Sequence, residues 1–121
     1  MRKRFYATLA LLAAVPLTLW AGKPQIRDVQ VTALGNNQYR FSVTLEHADS
    51  GWDHFANRWQ ILSAQGEVLA TRELAHPHVN EQPFTRSLTA TLPAGTRHVL
   101  VRAFDSVHGA SEEDYPVSLG E

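Results

Sequence analysis

Residues Gln38 to Glu46 alternate without a break. Tyr39, Phe41, Val43 and Leu45 fall on one side, and Gln38, Arg40, Ser42, Thr44 and Glu46 on the other. Side chains of an extended chain project to opposite faces with period two, so this run predicts a strand with one buried face and one wet face. A strand of this kind cannot bury its apolar face alone. It needs neighbouring strands and a second apolar layer.

The rest of the chain supplies them. Residues 26–33 carry Val29, Val31 and Ala33 on one face, and Gly35-Asn36-Asn37 joins them to the first run as a hairpin. Further strands are expected at 57–63, with Trp59 and Ile61 inward, and at 67–74, linked by Ala64-Gln65-Gly66. Residues 84–92 place Phe84, Leu88, Ala90 and Leu92 on one face. Pro93-Ala94-Gly95-Thr96 then turns the chain into 97–105, where Val99, Val101 and Ala103 alternate, and 114–119 is a short last strand. The fold class expected is all-β, a seven-stranded antiparallel sandwich.

The N-terminus predicts export. Arg2, Lys3 and Arg4 form a basic head, residues 5–20 are apolar apart from Thr8 and Thr18, and Ala21-Gly22 is a small-residue exit. This is the tripartite pattern of a signal peptide over 1–21, followed by a domain over 22–121. Retention as an anchor is the alternative, although the stretch is short for a bilayer span and contains Pro16. Cleavage after Ala21 removes three basic residues and no acidic one, taking the formal charge from −1 to −4. Roughly 100 residues remain, enough for one self-sufficient core. An acidic domain argues against nucleic acid or anionic membrane surfaces as partners.

Cysteine is absent. Stability must therefore come from burial, and thiolate chemistry is excluded, including blue-copper sites, zinc knuckles, redox dithiols and lipid attachment through a lipobox.

The stretch from Leu92 through Pro93 and Gly95 to Val99, Val101, Ala103 and Asp105, followed by Gly109, resembles the late-strand signature of bacterial immunoglobulin-like and fibronectin type III-like domains. Trp59 sits where such sandwiches often bury a tryptophan. That resemblance implies an immunoglobulin-like sandwich and carries no activity. The whole chain also resembles a group of small exported bacterial proteins. They share Gly51-Trp52-Asp53-His54, His76-Pro77-His78 with Glu81-Gln82-Pro83-Phe84, and Asp105-Ser106-Val107-His108-Gly109.

Strand direction then gathers the histidines. Consecutive antiparallel strands reverse, so the tight turns at 34–37, 64–66 and 93–96 share one pole and the longer segments 47–56, 75–83 and 106–113 share the other. His54, His76, His78 and His108 all lie in the longer segments, with the acids Asp49, Asp53, Glu81, Asp105, Glu112, Glu113 and Asp114. Pro77 biases His76 toward extended backbone, so His76 and His78 are expected to project to one side roughly 6–7 Å apart. Four imidazoles without sulfur suit Cu(II) or Zn(II), with Asp53 or Asp105 as an oxygen ligand or orienting partner and His47 as an extra ligand. His98, near the opposite pole, reads as structural.

Other readings compete. Loop histidines are often only solvated, and the same loops or an edge strand could hold an envelope protein partner without any metal. A metal-dependent enzyme would need an open coordination position. Asp105, Ser106 and His108 lie in one short loop and do not form a catalytic relay, which draws its partners from separate elements. There is no Gly-x-Ser-x-Gly elbow and no HExxH helix. Trp52 and Phe55 are expected to cap the core. Arg72, Arg86 and Arg102 fall within strands, where Glu67, Glu73 or Asp28 could pair with them. The reading is a non-enzymatic exported sandwich that binds a divalent metal at its loop pole.

Overall fold

The computed structural model describes residues 22–111 and 113–120; the expected signal peptide at 1–21 and the rim residue Glu112 lie outside them. The described residues form eight strands: β1 (Gln25–Gly35), β2 (Gln38–Glu46), β3 (Ala56–Ser63), β4 (Val68–Glu73), β5 (Phe84–Thr91), β6 (His98–Asp105), β7 (Gly109–Ala110) and β8 (Tyr115–Ser118). They make two antiparallel sheets and no helix, so the all-β sandwich is as expected. One sheet has the order β1-β2-β5. In the other the order is β4-β3-β6, with β7 and β8 both on the far side of β6. The count is eight rather than seven because β6 is flanked by two short pieces. β7 pairs with Phe104 and Asp105, and β8 with His98 to Val101.

The period-two pattern sets the core. Phe41, Val43 and Leu45 of β2 face Trp59 and Ile61 of β3 and Val99, Val101 and Ala103 of β6, and all eight are fully or almost fully buried. Phe84, Ala90, Leu74 and Leu92 complete the layer. The first hairpin closes through Asn36 and Asn37, both with positive φ (56° and 66°). That two-residue geometry matches the twist of the flanking strands, and asparagine tolerates it better than most residues.

Register fixes the poles. Gln25 faces Glu46, Leu45 faces Phe84, and Ala56 faces Asp105. At the other ends Gln38 faces Thr91 and Ser63 faces Val99. The β2–β3, β4–β5 and β6–β7 connections therefore emerge at one pole. They are stitched together there by the Ser106 amide on the Phe55 carbonyl and the His78 amide on Asp49.

Candidate functional site

The inward face of β2 does not stop at Leu45. His47 and Asp49 continue the same parity and are 3% and 6% exposed. On β6 the inward series Val99, Val101, Ala103 runs on to Asp105, which is 4% exposed. The two sheets thus present polar residues to each other where the apolar core ends, and His47 Nε2 meets Asp105 Oδ2 at 2.9 Å.

Asp105 divides its two oxygens between two tasks. Oδ1 accepts the backbone amides of Val107 (3.1 Å), His108 and Gly109 (3.1 Å), which shapes the β6–β7 turn. Gly109 completes that turn at φ 84°, a conformation other residues seldom adopt. Oδ2 faces three imidazole nitrogens: His47 Nε2 at 2.9 Å, His54 Nε2 at 3.0 Å and His108 Nδ1 at 3.1 Å. The atoms offered by His47, His54 and Asp105 all lie within 4.8 Å of one another. The Asp105 side chain is fully buried, while those of His54 and His108 are 20% and 39% exposed, so the cluster opens to solvent on their side.

Asp49 holds His47 from behind. Its Oδ1 lies 2.5 Å from His47 Nδ1 and accepts the Ala56 amide, and its Oδ2 accepts the His78 amide at 2.7 Å. Gln82 adds a second tie, accepting the His47 amide and donating to the His78 carbonyl. Burial alone would pull His47 below its ordinary value, but hydrogen bonds and charges from Asp49 and Asp105 outweigh it and raise the ring. Burial likewise pushes Asp105 up, and the His108 amide with the surrounding imidazoles more than reverses this, holding it well below the usual carboxylate range. Asp49 is lowered in the same manner, with His47 and the His78 and Ala56 amides outweighing burial.

The four histidines expected at this pole fall into two groups. His54 and His108 converge on Asp105, their rings 4.9 Å apart. His76 and His78 pair with each other at 4.7 Å, and His78 stacks on Phe84 at 4.0 Å. No hydrogen bond or ring contact joins the two pairs among the described residues. Instead Asp49 links them, through the His47 ring and the His78 backbone. His78 Nε2 accepts from Arg86 at 2.9 Å, its Nδ1 is buried without a partner, and burial, reinforced by Arg86, lowers its pKa. A nitrogen already engaged by a guanidinium is poorly placed to ligate a cation.

His47, read from sequence only as an extra ligand, is at the centre of the cluster. Ser106 accepts the Phe55 amide and is part of the turn, not of a relay. Trp52 corrects an expectation. It is 70% exposed and meets Phe55 edge-on at 5.6 Å, so it does not cap the core.

Fold and site together define an antiparallel β-sandwich with a buried histidine–aspartate cluster at its loop pole. A protein of Halomicrobium mukohataei described as “Putative lipoprotein” is 45% identical over 82 residues, covering 68% of this chain and 40% of that relative. The chain therefore spans about 40% of the length of the curated relative it matches. No protein-family model matches the chain, and no solved structure does.

Proposed function

We propose that this is an exported protein of the cell envelope, periplasmic in location, whose sandwich binds one divalent transition-metal ion, Zn(II) or Cu(II). The ligands are His47 Nε2, His54 Nε2, His108 Nδ1 and Asp105 Oδ2. The basic-apolar leader pattern and the lipoprotein description of the relative support the envelope location. The strand order β1-β2-β5 against β4-β3-β6-β8 supports an immunoglobulin-like arrangement of the two sheets.

One observation carries the metal reading. Three imidazole nitrogens converge on a single buried carboxylate oxygen at 2.9–3.1 Å. A tetrahedral ion with bonds of about 2.0–2.1 Å needs ligand atoms about 3.3 Å apart. The atoms of His47, His54 and Asp105 lie within 4.8 Å of one another, so the carboxylate oxygen would step back and the imidazole nitrogens would close in. Three nitrogens and one oxygen, with no sulfur, suit Zn(II) or Cu(II). Asp49 supplies what metal-bound histidines usually have, a carboxylate on the far ring nitrogen that fixes the tautomer and aims the other nitrogen at the ion.

Calorimetric titration tests this. The protein is expected to take up one Zn(II) or Cu(II) per chain, and His54→Ala and His108→Ala each to weaken binding by at least about tenfold. His76→Ala is expected to leave it unchanged. Equal affinity in the wild type and in the His54→Ala/His108→Ala double variant would end the proposal.

A further inference from the structure

Gly22, the first described residue, meets the histidine cluster directly. β1 begins at the same pole, with Gln25 opposite Glu46. Just before it Pro24 is fully buried, which anchors the entering backbone. Two positions earlier, the Gly22 carbonyl oxygen lies 3.1 Å from His47 Nε2, the nitrogen that also meets Asp105 Oδ2 at 2.9 Å. The two oxygens share one imidazole N–H, and both would face an ion that replaced its proton. Two ligand atoms about 2.0–2.1 Å from one ion stand about 2.8–3.4 Å apart for angles between square and tetrahedral, and both contacts fall in that span.

The expected cleavage after Ala21 would make Gly22 the N-terminus of the exported protein. Its nitrogen would then be a primary amine instead of a peptide amide. An amide nitrogen has its lone pair tied up in resonance with the carbonyl, whereas an amine can give that pair to a metal. The amine and the carbonyl oxygen of one residue can also close a small chelate ring on a single ion.

We propose that the α-amino group of Gly22, with its carbonyl oxygen, completes the metal centre and makes it a Cu(II) site. This rests on the metal reading above and on cleavage after Ala21. An amine beside the three imidazoles gives a nitrogen-rich set, with Asp105 Oδ2 and the Gly22 carbonyl as oxygens. Such a set exceeds the four tetrahedral positions that Zn(II) fills, and it suits the tetragonal geometry of Cu(II), which also binds nitrogen more tightly. Assembly is thereby tied to export, because the amine exists only once the leader has been removed.

The test begins with the exported protein, whose mass is expected to show a chain starting at Gly22; any other start overturns the proposal. Cu(II) is then titrated into this protein and into the same protein acetylated at its α-amino group. Acetylation is expected to weaken Cu(II) binding by at least about tenfold. With isotope-labelled glycine, the paramagnetic resonance of bound Cu(II) is expected to show a labelled nitrogen on the ion. Equal affinity, or no labelled nitrogen on the ion, overturns the proposal and leaves the Gly22 carbonyl as a latch for His47. If acetylation has no effect while His54→Ala/His108→Ala still weakens binding, this inference falls alone and the metal reading stands. No Cu(II) uptake by any form overturns this inference and a copper site together.

Discussion

His47 has oxygen acceptors at both ring nitrogens: Asp49 at Nδ1, and Asp105 with the Gly22 carbonyl at Nε2. Oxygen acceptors on both sides favour the doubly protonated ring, and a metal would compete with a proton for Nε2. The raised His47 and the lowered Asp105 act at opposite ends of the pH range. Stability from His47 is complete below its unfolded value of about 6.5 and is lost as pH rises through the higher folded value. Stability from Asp105 is present above about pH 4 and is lost as pH falls toward the depressed folded value. Metal-free protein is therefore expected to melt at a higher temperature at pH 5.5 than at pH 8.5, and His47→Gln to flatten the alkaline decline. Thermal unfolding in EDTA across that range checks both. All four residues of this site are candidates in the sequence, but His47 and Asp105 only as an extra ligand and an orienting partner, not as its centre. His54 and His108 stand out as loop histidines beside acids. His47 and Asp105 extend the inward parity of β2 and β6, but a polar residue at an inward position reads as the end of a strand. Only the opposing sheet shows that the two face each other.

At the scale of the strands, β2 and β6 are plain in the sequence because each has one fully apolar face. β4 is less plain, since only one side of it touches a neighbour and its apolar residues do not alternate cleanly. β7 is two residues long and leaves no pattern at all. The arginines within strands show what pattern alone cannot. Arg102 makes paired 2.8 Å bonds to Asp114, which no strand periodicity announces. Arg72, on the edge strand β4, donates from Nε to the Ser87 carbonyl of β5 at 2.8 Å, joining the open edges of the two sheets. A guanidinium there satisfies an edge carbonyl and blunts a strand that could otherwise pair with another chain. Arg72→Met keeps the stem and removes the donor. It is expected to cost about 1–2 kcal/mol in denaturant unfolding and to increase association at high concentration by light scattering. Unchanged stability and unchanged scattering would show that the contact guards nothing.

For the whole molecule, the position of the cluster matters more than its composition. His47 directly follows an inner strand of one sheet and Asp105 ends an inner strand of the other, so an ion bound between them would staple the sandwich at one pole. The chain has no disulfide to do this. The opposite pole is closed by local bonds such as the Leu92 amide on the Asn37 carbonyl, which no ion at Asp105 would touch. Binding to the folded state alone adds about 2.7 kcal/mol when free metal is a hundredfold above its Kd. For a domain of this size that is a rise in Tm of roughly 10 °C or more. The gain is expected to be uneven. Amides held by the two aspartates, those of Ala56, His78, Val107, His108 and Gly109, should exchange more slowly with Zn(II) bound, while the Leu92 amide stays as it was. Hydrogen exchange with and without Zn(II) reads both poles in one experiment. Uniform protection along the chain would mean that the ion acts only through global stability, and protection confined to residues 76–81 would move the site to the other histidine pair.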